Sequence, residues 1–137
     1  MSKSPRLARR IDGRLRPIDR ERNRMHYLLI IAHDDAFAPT EHLVAEIMGW
    51  IKSMESRGIR VHGNPLRPAS EAVTVRVRDG EVGHSPGPFS RSREQMCAYE
   101  LIQCASLDVA VEVAAKHPMA AVATIEVRPV WSQLAED

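Results

Sequence analysis

The segment HYLLIIA, from His26 to Ala32, decides how the rest of the chain must be arranged. It is a continuous apolar run of strand length followed by polar residues, which is typical of a buried β-strand. Apolar residues occupy both faces of this strand, Leu28 and Ile30 on one and Tyr27, Leu29 and Ile31 on the other. Both faces therefore need to leave water, and the fold has to cover both of them.

A helix and a second strand are predicted to follow. Pro39 and Thr40 look like a helix start, and apolar residues then recur at helical spacing until Gly58 supplies a C-terminal stop. The pattern predicts a helix over about residues 40–57. The segment IRVHG at residues 59–63 predicts a short second strand.

The second half of the chain adds a hairpin and then repeats the order strand, helix, strand. Valines alternate with polar residues before Asp79-Gly80, a dipeptide that favours a tight hairpin turn. Ser106 is a typical N-cap for a second helix, which Pro118 is expected to close. The predicted strands are AVTVRVR (residues 72–78), EVGHS (81–85), CAYELIQC (97–104) and ATIEVRPV (123–130).

The resulting order, β-α-β, hairpin, β-α-β, predicts an α+β fold of the ferredoxin-like kind with an inserted hairpin. Two helices can cover only one face of the sheet, although the first strand is apolar on both. Because large apolar faces are rare on monomers, a second copy stacked sheet to sheet is the economical cover. We therefore expect a homodimer.

Composition limits the classes of protein to consider. A chain of 137 residues suits one domain, and its hydrophobic content of 44% and charged content of 27% are ordinary for a globular protein. No apolar run approaches the roughly 20 residues that cross a bilayer, and no secretory leader is evident, so a cytoplasmic location is expected. Cys97 and Cys104 are too few for a disulfide framework and are expected to be reduced.

Charge is divided unevenly between an N-terminal segment and the rest of the chain. Residues 1–24 carry nine Lys or Arg against three acids, whereas residues 25–137 are net acidic. The first segment has few apolar residues and no period, so we expect a basic, disordered extension at 1–24 and a folded domain at 25–137. A nucleic-acid-binding arm is the less favoured alternative to a solvated extension.

Several segments together resemble the YCII-related family, in its DGPF-domain branch. They are MHYLLIIAHDD, ESRGIRVHGNPLRP, TVRVRDGEV, GPFSRSREQMCAYELIQCASLDVAVEVAAKHP and IEVRPV, which span Met25 to about Trp131. The resemblance implies a dimeric α-β barrel built from two stacked ferredoxin-like sheets. It also implies a small-molecule ligand in the cleft between the sheets.

The loop that gives this branch its name departs from the family pattern here. The family typically has Asp-Gly-Pro-Phe followed by a small residue and an acid, whereas this chain has Pro86-Gly87-Pro88-Phe89 followed by Ser90 and Arg91. Gly87 permits an unusual backbone angle, Pro88 fixes the next one, and Phe89 is expected to anchor the loop to the core. The loop is thus predicted to shape a cleft, and the two lost acids put its catalytic role in doubt.

Candidate site residues come mainly from the six histidines, because imidazole takes and gives protons near neutral pH. The family resemblance implies a His–Asp pair, for which His42 matches the histidine while His117 stands where the acid is expected. His42 is the first choice of base, and a solvated first-turn histidine is its structural alternative. The catalytic candidates are His42, His84, His62 and Asp35, and the substrate-binding candidates are Arg76, Phe89, Tyr99 and His117.

Two functions are compatible with the sequence. The first is a small cofactor-free enzyme of the lyase, isomerase or cyclase type, in which histidine acts as general acid and base on a small organic substrate. The second is a non-catalytic ligand-binding or regulatory partner, with a link to transcription regulation implied by the family resemblance. No nucleotide-binding, zincin or serine-hydrolase motif occurs in the sequence, so neither a cofactor nor a metal is expected.

Overall fold

The computed structural model describes residues 10–11, 14–15 and 24–131. Arg10–Ile11 and Arg14–Leu15 are two-residue strands that pair antiparallel. Residues 1–9, 12–13 and 16–23 of the predicted N-terminal extension lie outside the described residues, as do residues 132–137. The disorder expected for residues 1–24 therefore stays a prediction.

The domain is α+β, as predicted, and a four-stranded antiparallel sheet is its centre. The elements are β1 (Met25–His33), α1 (Glu41–Ser56), β2 (Arg60–Pro65), β3 (Val73–Arg78), β4 (Glu81–Pro86), β5 (Gln95–Cys104), α2 (Leu107–Ala115), α3 (Met119–Val122) and β6 (Thr124–Pro129). The sheet order is β2–β5–β1–β6, which is compatible with a ferredoxin-like fold, and β3 and β4 form a separate hairpin.

Both long helices begin at the residues that the sequence predicts. The Thr40 hydroxyl accepts a hydrogen bond from the Leu43 N–H at 3.0 Å, and the Ser106 hydroxyl accepts one from the Val109 N–H at 3.3 Å. These caps satisfy backbone donors that have no partner inside the helix. Helix α1 then ends before Gly58, whose φ of 72° lies in the left-handed region that glycine tolerates.

The second helix is shorter than predicted. It ends at Ala115, and Pro118 precedes the short helix α3 instead of closing α2. Proline lacks a backbone N–H and has a fixed φ, so it is well suited to the start of a helix. The chain turns through Lys116 and His117 between the two helices.

The helices bury one face of the sheet and leave the other open. Tyr27, Leu29 and Ile31 of β1 are buried against the helical layer, where Trp50 and Ile102 join them in the core. The side chains of alternate residues on β1 are only half-buried. We call that second side of the four-stranded sheet the open face, and its apolar members from β1 and β5 are Leu28, Ile30, Met96 and Leu101.

A buried ion pair joins β2 to β5 on the helical side of the sheet. Arg60 Nε donates to Glu100 Oε1 at 2.6 Å, and its other nitrogens reach Glu55 Oε2 at 2.7 Å and the Gly63 carbonyl at 2.9 Å. Burial raises the pKa of Glu100, which is 4% exposed, and the Arg60 guanidinium opposes only part of that rise. Burial alone would lower the pKa of Arg60, but its two carboxylate partners outweigh it and raise that pKa.

The absence of a side chain at Gly63 leaves room for this ion pair. A methyl group on Gly63 would overlap Glu100 Oε1 and come within 2.7 Å of the Tyr99 carbonyl oxygen. Gly63→Ala is therefore expected to lower the free energy of unfolding by about 1–3 kcal/mol, the usual cost of overfilling a packed site. Urea denaturation measures this change.

Gly83→Ala is the matched control, because Gly83 also lies in a strand but its nearest contact would be 3.8 Å away. That variant should change the free energy of unfolding by no more than about 1 kcal/mol. Equal effects of the two substitutions would show that the space beside Glu100 is not what constrains residue 63.

Candidate functional site

A cleft of about 980 Å³ lies where the hairpin passes the open face. Ile30 and Met96 of the sheet and Val73 and Val75 of the hairpin supply apolar walls, and Leu66 and Phe89 complete them. Glu126 and Arg128 of β6 form an ion pair at its sheet side. The cleft is therefore an apolar space with charged edges, which is the usual make-up of a small-molecule site.

A second cavity of about 550 Å³ adjoins the cleft and has a polar lining. The two share Thr74, Arg76, Phe89 and Gln95 among their lining residues. Arg91, Ser85 and Ser90 complete the polar side of the smaller cavity. We call it the arginine cavity, because two guanidinium groups line it.

The hairpin β3–β4 is joined to neither edge of the central sheet. Its tight turn places Asp79 at φ 52° and Gly80 at φ 79°, as the predicted turn type requires. One face of the hairpin is a row of exposed valines, and Val75 is 62% exposed. An isolated two-stranded hairpin is marginally stable in water, so this apolar face needs a packing partner. The valines of this row are Val73, Val75, Val77 and Val82.

The Pro86-Gly87-Pro88-Phe89 turn is fixed to the base of the hairpin. Gly87 has φ 94°, its N–H donates to the Ala72 carbonyl at 2.6 Å, and its carbonyl accepts from the Thr74 hydroxyl at 2.8 Å. The prediction that Phe89 anchors the loop to the core is wrong, because Phe89 is 80% exposed. Phe89 is instead among the residues that line both cavities.

His62 and Tyr99 meet on the open face. The Tyr99 hydroxyl and His62 Nδ1 lie 3.0 Å apart, and their ring centroids are 5.7 Å apart. Tyr99 is directly opposite Ile30 in the sheet register, and directly opposed residues share a face. The hydrogen-bonded pair therefore lies beside the cleft that Ile30 lines.

His42 and Asp35 lie near the start of α1, away from this pair. The side chain of His42 is 84% exposed, and its Nε2 lies 3.3 Å from Glu46 on the next turn of the helix. Asp35 is exposed in the turn before α1, where the neighbouring Asp34 carboxylate accepts from the Ala36 N–H at 3.0 Å. His42 and Asp35 thus line neither cavity.

His84 lies on β4 opposite Val75, and it is exposed with the valine row. It lines neither of the two cavities. Arg76 and Phe89, in contrast, line both. The structure therefore brings together two separate pairs among the predicted residues, Arg76 with Phe89 and His62 with Tyr99.

His117 is in the core on the helical side of the sheet. It is 2% exposed, its ring lies 4.5 Å from the Trp50 ring, and its Nδ1 accepts from the Met119 N–H at 3.0 Å. Its Nε2 is buried without a hydrogen-bond partner in the described part of the chain. Burial lowers the pKa of His117 to about 4, so the imidazole is neutral and caps α3. In this environment the ring is not a cation that interacts with the C-terminus of α2.

Sequence reasoning missed several residues that line the cavities. Met96, Gln95, Glu126 and Arg128 come next to the hairpin only because β5 and β6 flank β1. Alternation of polar and apolar residues on β6 was the available signal, but it does not say which face the hairpin passes. Within residues 24–131, no cluster of three or more His, Cys, Asp or Glu side chains is placed to hold a metal ion.

Comparison with known proteins relates the chain to a protein family and to a relative in another organism. The model of the YCII-related domain matches residues 25–133. An uncharacterized protein of Rhizobium meliloti (strain 1021) is 43% identical over 49 residues, which are 36% of this chain and 40% of that protein. The chain thus spans about two fifths of that relative's length. No helix in the described part of the chain is long and apolar enough to cross a membrane.

His117 is expected to make the folded state sensitive to acid. Its pKa is about 4 in the folded protein and about 6.5 in an unfolded chain, so the unfolded state binds the extra proton between these values. The stability that the neutral ring contributes is full above pH 6.5 and is lost as pH falls towards 4. The loss amounts to about 3 kcal/mol, at 1.36 kcal/mol for each pKa unit.

His117→Asn tests this, because asparagine keeps an acceptor near the Nδ1 position and does not titrate. Urea unfolding of both proteins at several pH values between 7 and 4.5 should show the destabilisation by the substitution shrinking as pH falls. His42→Asn, at an exposed histidine, is the control and should show no such trend. A penalty for His117→Asn that is independent of pH would contradict the expectation.

Proposed function

The chain belongs to the family of YCII-related domains, and on this basis we propose that it is a cofactor-free proton-transfer enzyme of the lyase, isomerase or cyclase type. Its substrate is a small organic molecule that binds at the open face. The observation that carries the proposal is the hydrogen bond between His62 Nδ1 and the Tyr99 hydroxyl beside the cleft. Histidine is the side chain best suited to take and return a proton near neutral pH.

The chemistry of the pair depends on where the imidazole carries its proton. With the proton on Nδ1, the ring donates to the Tyr99 oxygen, and Nε2 is free to accept a proton from a substrate. After Nε2 has taken that proton the ring is an imidazolium, Nδ1 still donates to the Tyr99 oxygen, and Nε2 can return the proton to the substrate. The hydrogen bond thus orients the ring in both states, as an orienting group does for a general base.

A second copy of the chain is proposed to close the site. The helices cover one face of the sheet only, and the half-buried Leu28 and Ile30 remain on the other. The exposed valine row of the hairpin adds an apolar surface next to that face. Two sheets stacked face to face would cover both surfaces, form the dimeric α-β barrel and exclude water from His62 and Tyr99.

The cytoplasm is the proposed compartment of the protein. The free thiols of Cys97 and Cys104 support a reducing compartment of this kind.

A specific observation favours the second candidate function, a non-catalytic ligand-binding or regulatory protein. Within the described chain, no histidine is among the residues that line the two cavities. His62 reaches a ligand only if that ligand extends along the open face past Ile30. A ligand that stays between the hairpin and Met96 would be bound and not transformed.

The homodimer can be tested on the hairpin. Val75→Glu places a carboxylate in the valine row, where burial against a second copy would be costly, and it should shift the protein from dimer to monomer at micromolar concentration. Val111→Glu, at an exposed valine of α2, is the matched control and should leave the dimer intact. Light scattering gives the mass of each variant. An unaltered protein with the mass of one chain would overturn the dimer.

The catalytic pair can be tested without a known substrate. Small carbonyl acids are incubated with the protein in D₂O, and NMR records the exchange of acidic C–H protons for deuterium. His62→Gln should slow this exchange by about 10²–10⁴-fold, the usual size of a general acid–base contribution. Tyr99→Phe should slow it less, because the ring remains and only the orienting hydroxyl is lost.

The same assay distinguishes His62 from His42, the base that the sequence favours. If His42→Gln abolishes exchange while His62→Gln retains it, the proposed pair is not the proton-transfer centre. If none of the carbonyl acids exchanges faster than in buffer while one of them binds, the ligand-binding function is favoured.

A further inference from the structure

We propose that the arginine cavity binds the oxyanion of an organic anion, a carboxylate or a phosphate, whose apolar body lies in the larger cleft. The inference rests on the proposed function, since it names the class of substrate that reaches the His62–Tyr99 pair. The observation behind it is that Arg76 and Arg91 line one cavity, and no Asp or Glu of the described residues lines it with them.

These two arginines differ from Arg67 and Arg128, the other two that line the larger cleft. Arg67 is paired with Glu71 at 2.9 Å, and Arg128 is paired with Glu126. Neither Arg76 nor Arg91 has a carboxylate partner within the described part of the chain. Two uncompensated guanidinium groups attract an anion, and their planar forks match the geometry of carboxylate and phosphate oxygens.

The remaining polar groups of the cavity do not compete for the guanidinium groups. The Thr74 hydroxyl donates to the Gly87 carbonyl, and the Gln95 amide donates to the Ser90 and Ser92 carbonyls at 2.9 and 2.8 Å. The Ser90 hydroxyl oxygen accepts from the Ser92 N–H at 3.1 Å, which leaves its own proton to donate. An oxyanion between Arg76 and Arg91 would therefore find a hydroxyl donor beside it.

The residues that the two cavities share indicate which kind of chemical group the oxyanion is attached to. Arg76 and Phe89 line both spaces, and beyond them the larger cleft is walled by Val75, Met96 and Ile30. A molecule with its oxyanion at Arg76 therefore places its body against apolar side chains. Because Ile30 is directly opposite Tyr99, a body that reaches Ile30 also reaches the neighbourhood of the hydrogen-bonded pair.

Isothermal titration calorimetry at low ionic strength tests the inference with three probes of similar body, benzoate, phenyl phosphate and benzyl alcohol. At least one of the two anions should bind more tightly than the neutral alcohol. Arg76→Gln and Arg91→Gln should each lower the affinity for that anion about 10-fold, which is the low end for a charge-assisted hydrogen bond at an exposed site. Comparison of benzoate with phenyl phosphate distinguishes a carboxylate from a phosphate site.

The chain supplies matched controls on the same elements. Arg78 is two residues from Arg76 on β3, and Arg93 is two residues from Arg91 in the same loop. Neither of them is among the residues that line the larger cleft or the arginine cavity. Arg78→Gln and Arg93→Gln should keep the affinity for the anion within about twofold of that of the unaltered protein, because screening limits the effect of a charge outside the site. If these controls weaken binding as much as Arg76→Gln does, or if neither anion binds better than benzyl alcohol, the inference is overturned.

His62→Gln distinguishes this inference from the proposed function. It should retain anion binding while it loses proton exchange. If anion binding depends on Arg76 and Arg91 but the protein exchanges no proton in any bound probe or carbonyl acid, the anion site stands and the enzyme proposal fails. If exchange requires His62 but the arginine substitutions leave binding unchanged, the enzyme proposal stands and the anion site fails.

Discussion

The structure depends on one constraint, which is that β1 is apolar on both faces while the helices lie on one side of the sheet. Tyr27, Leu29 and Ile31 take the side under the helices and are almost completely buried. Leu28 and Ile30 are left on the open face, half-buried. In the described chain the hairpin is the element that passes this face, and its own valines are exposed. The site therefore lies on the side of the sheet where burial is incomplete.

The register between β2 and β5 places the candidate catalytic pair on that side. Glu100 points to the helical side, where Arg60 holds it and Gly63 makes room for it. Since side chains alternate along a strand, Tyr99 must point to the open face, and there it meets His62. A slip of one residue would send Tyr99 into the core and Glu100 to the open face. The ion pair thus fixes the geometry of a site that it does not contact.

Local signals in the sequence predicted the fold well. Element order, the Thr40 and Ser106 caps and the Asp79-Gly80 turn depend on neighbours within a few residues, and the structure confirms each of them. The predicted end of the second helix was wrong, because a proline can begin a helix as well as end one.

The site was harder to predict, because its contacts join distant parts of the chain. His62 and Tyr99 were both named, but their hydrogen bond follows from β2 lying next to β5, which no local pattern specifies. Phe89 was expected in the core, yet the rigid turn before it directs the ring outward. The family branch that the loop suggested stays a prediction, since the matching family model distinguishes no branch.

The cavities suggest why the loop differs in charge from the pattern that it resembles. Where the resembled pattern has acids, this chain has Pro86 and Arg91, and both line the arginine cavity. Loss of two negative charges and gain of a positive one would weaken proton transfer by the loop and strengthen its attraction for an anion. The two proposals together imply a division of roles, in which the loop would hold a charged group while His62 and Tyr99, on the rigid sheet, would carry out the proton transfer.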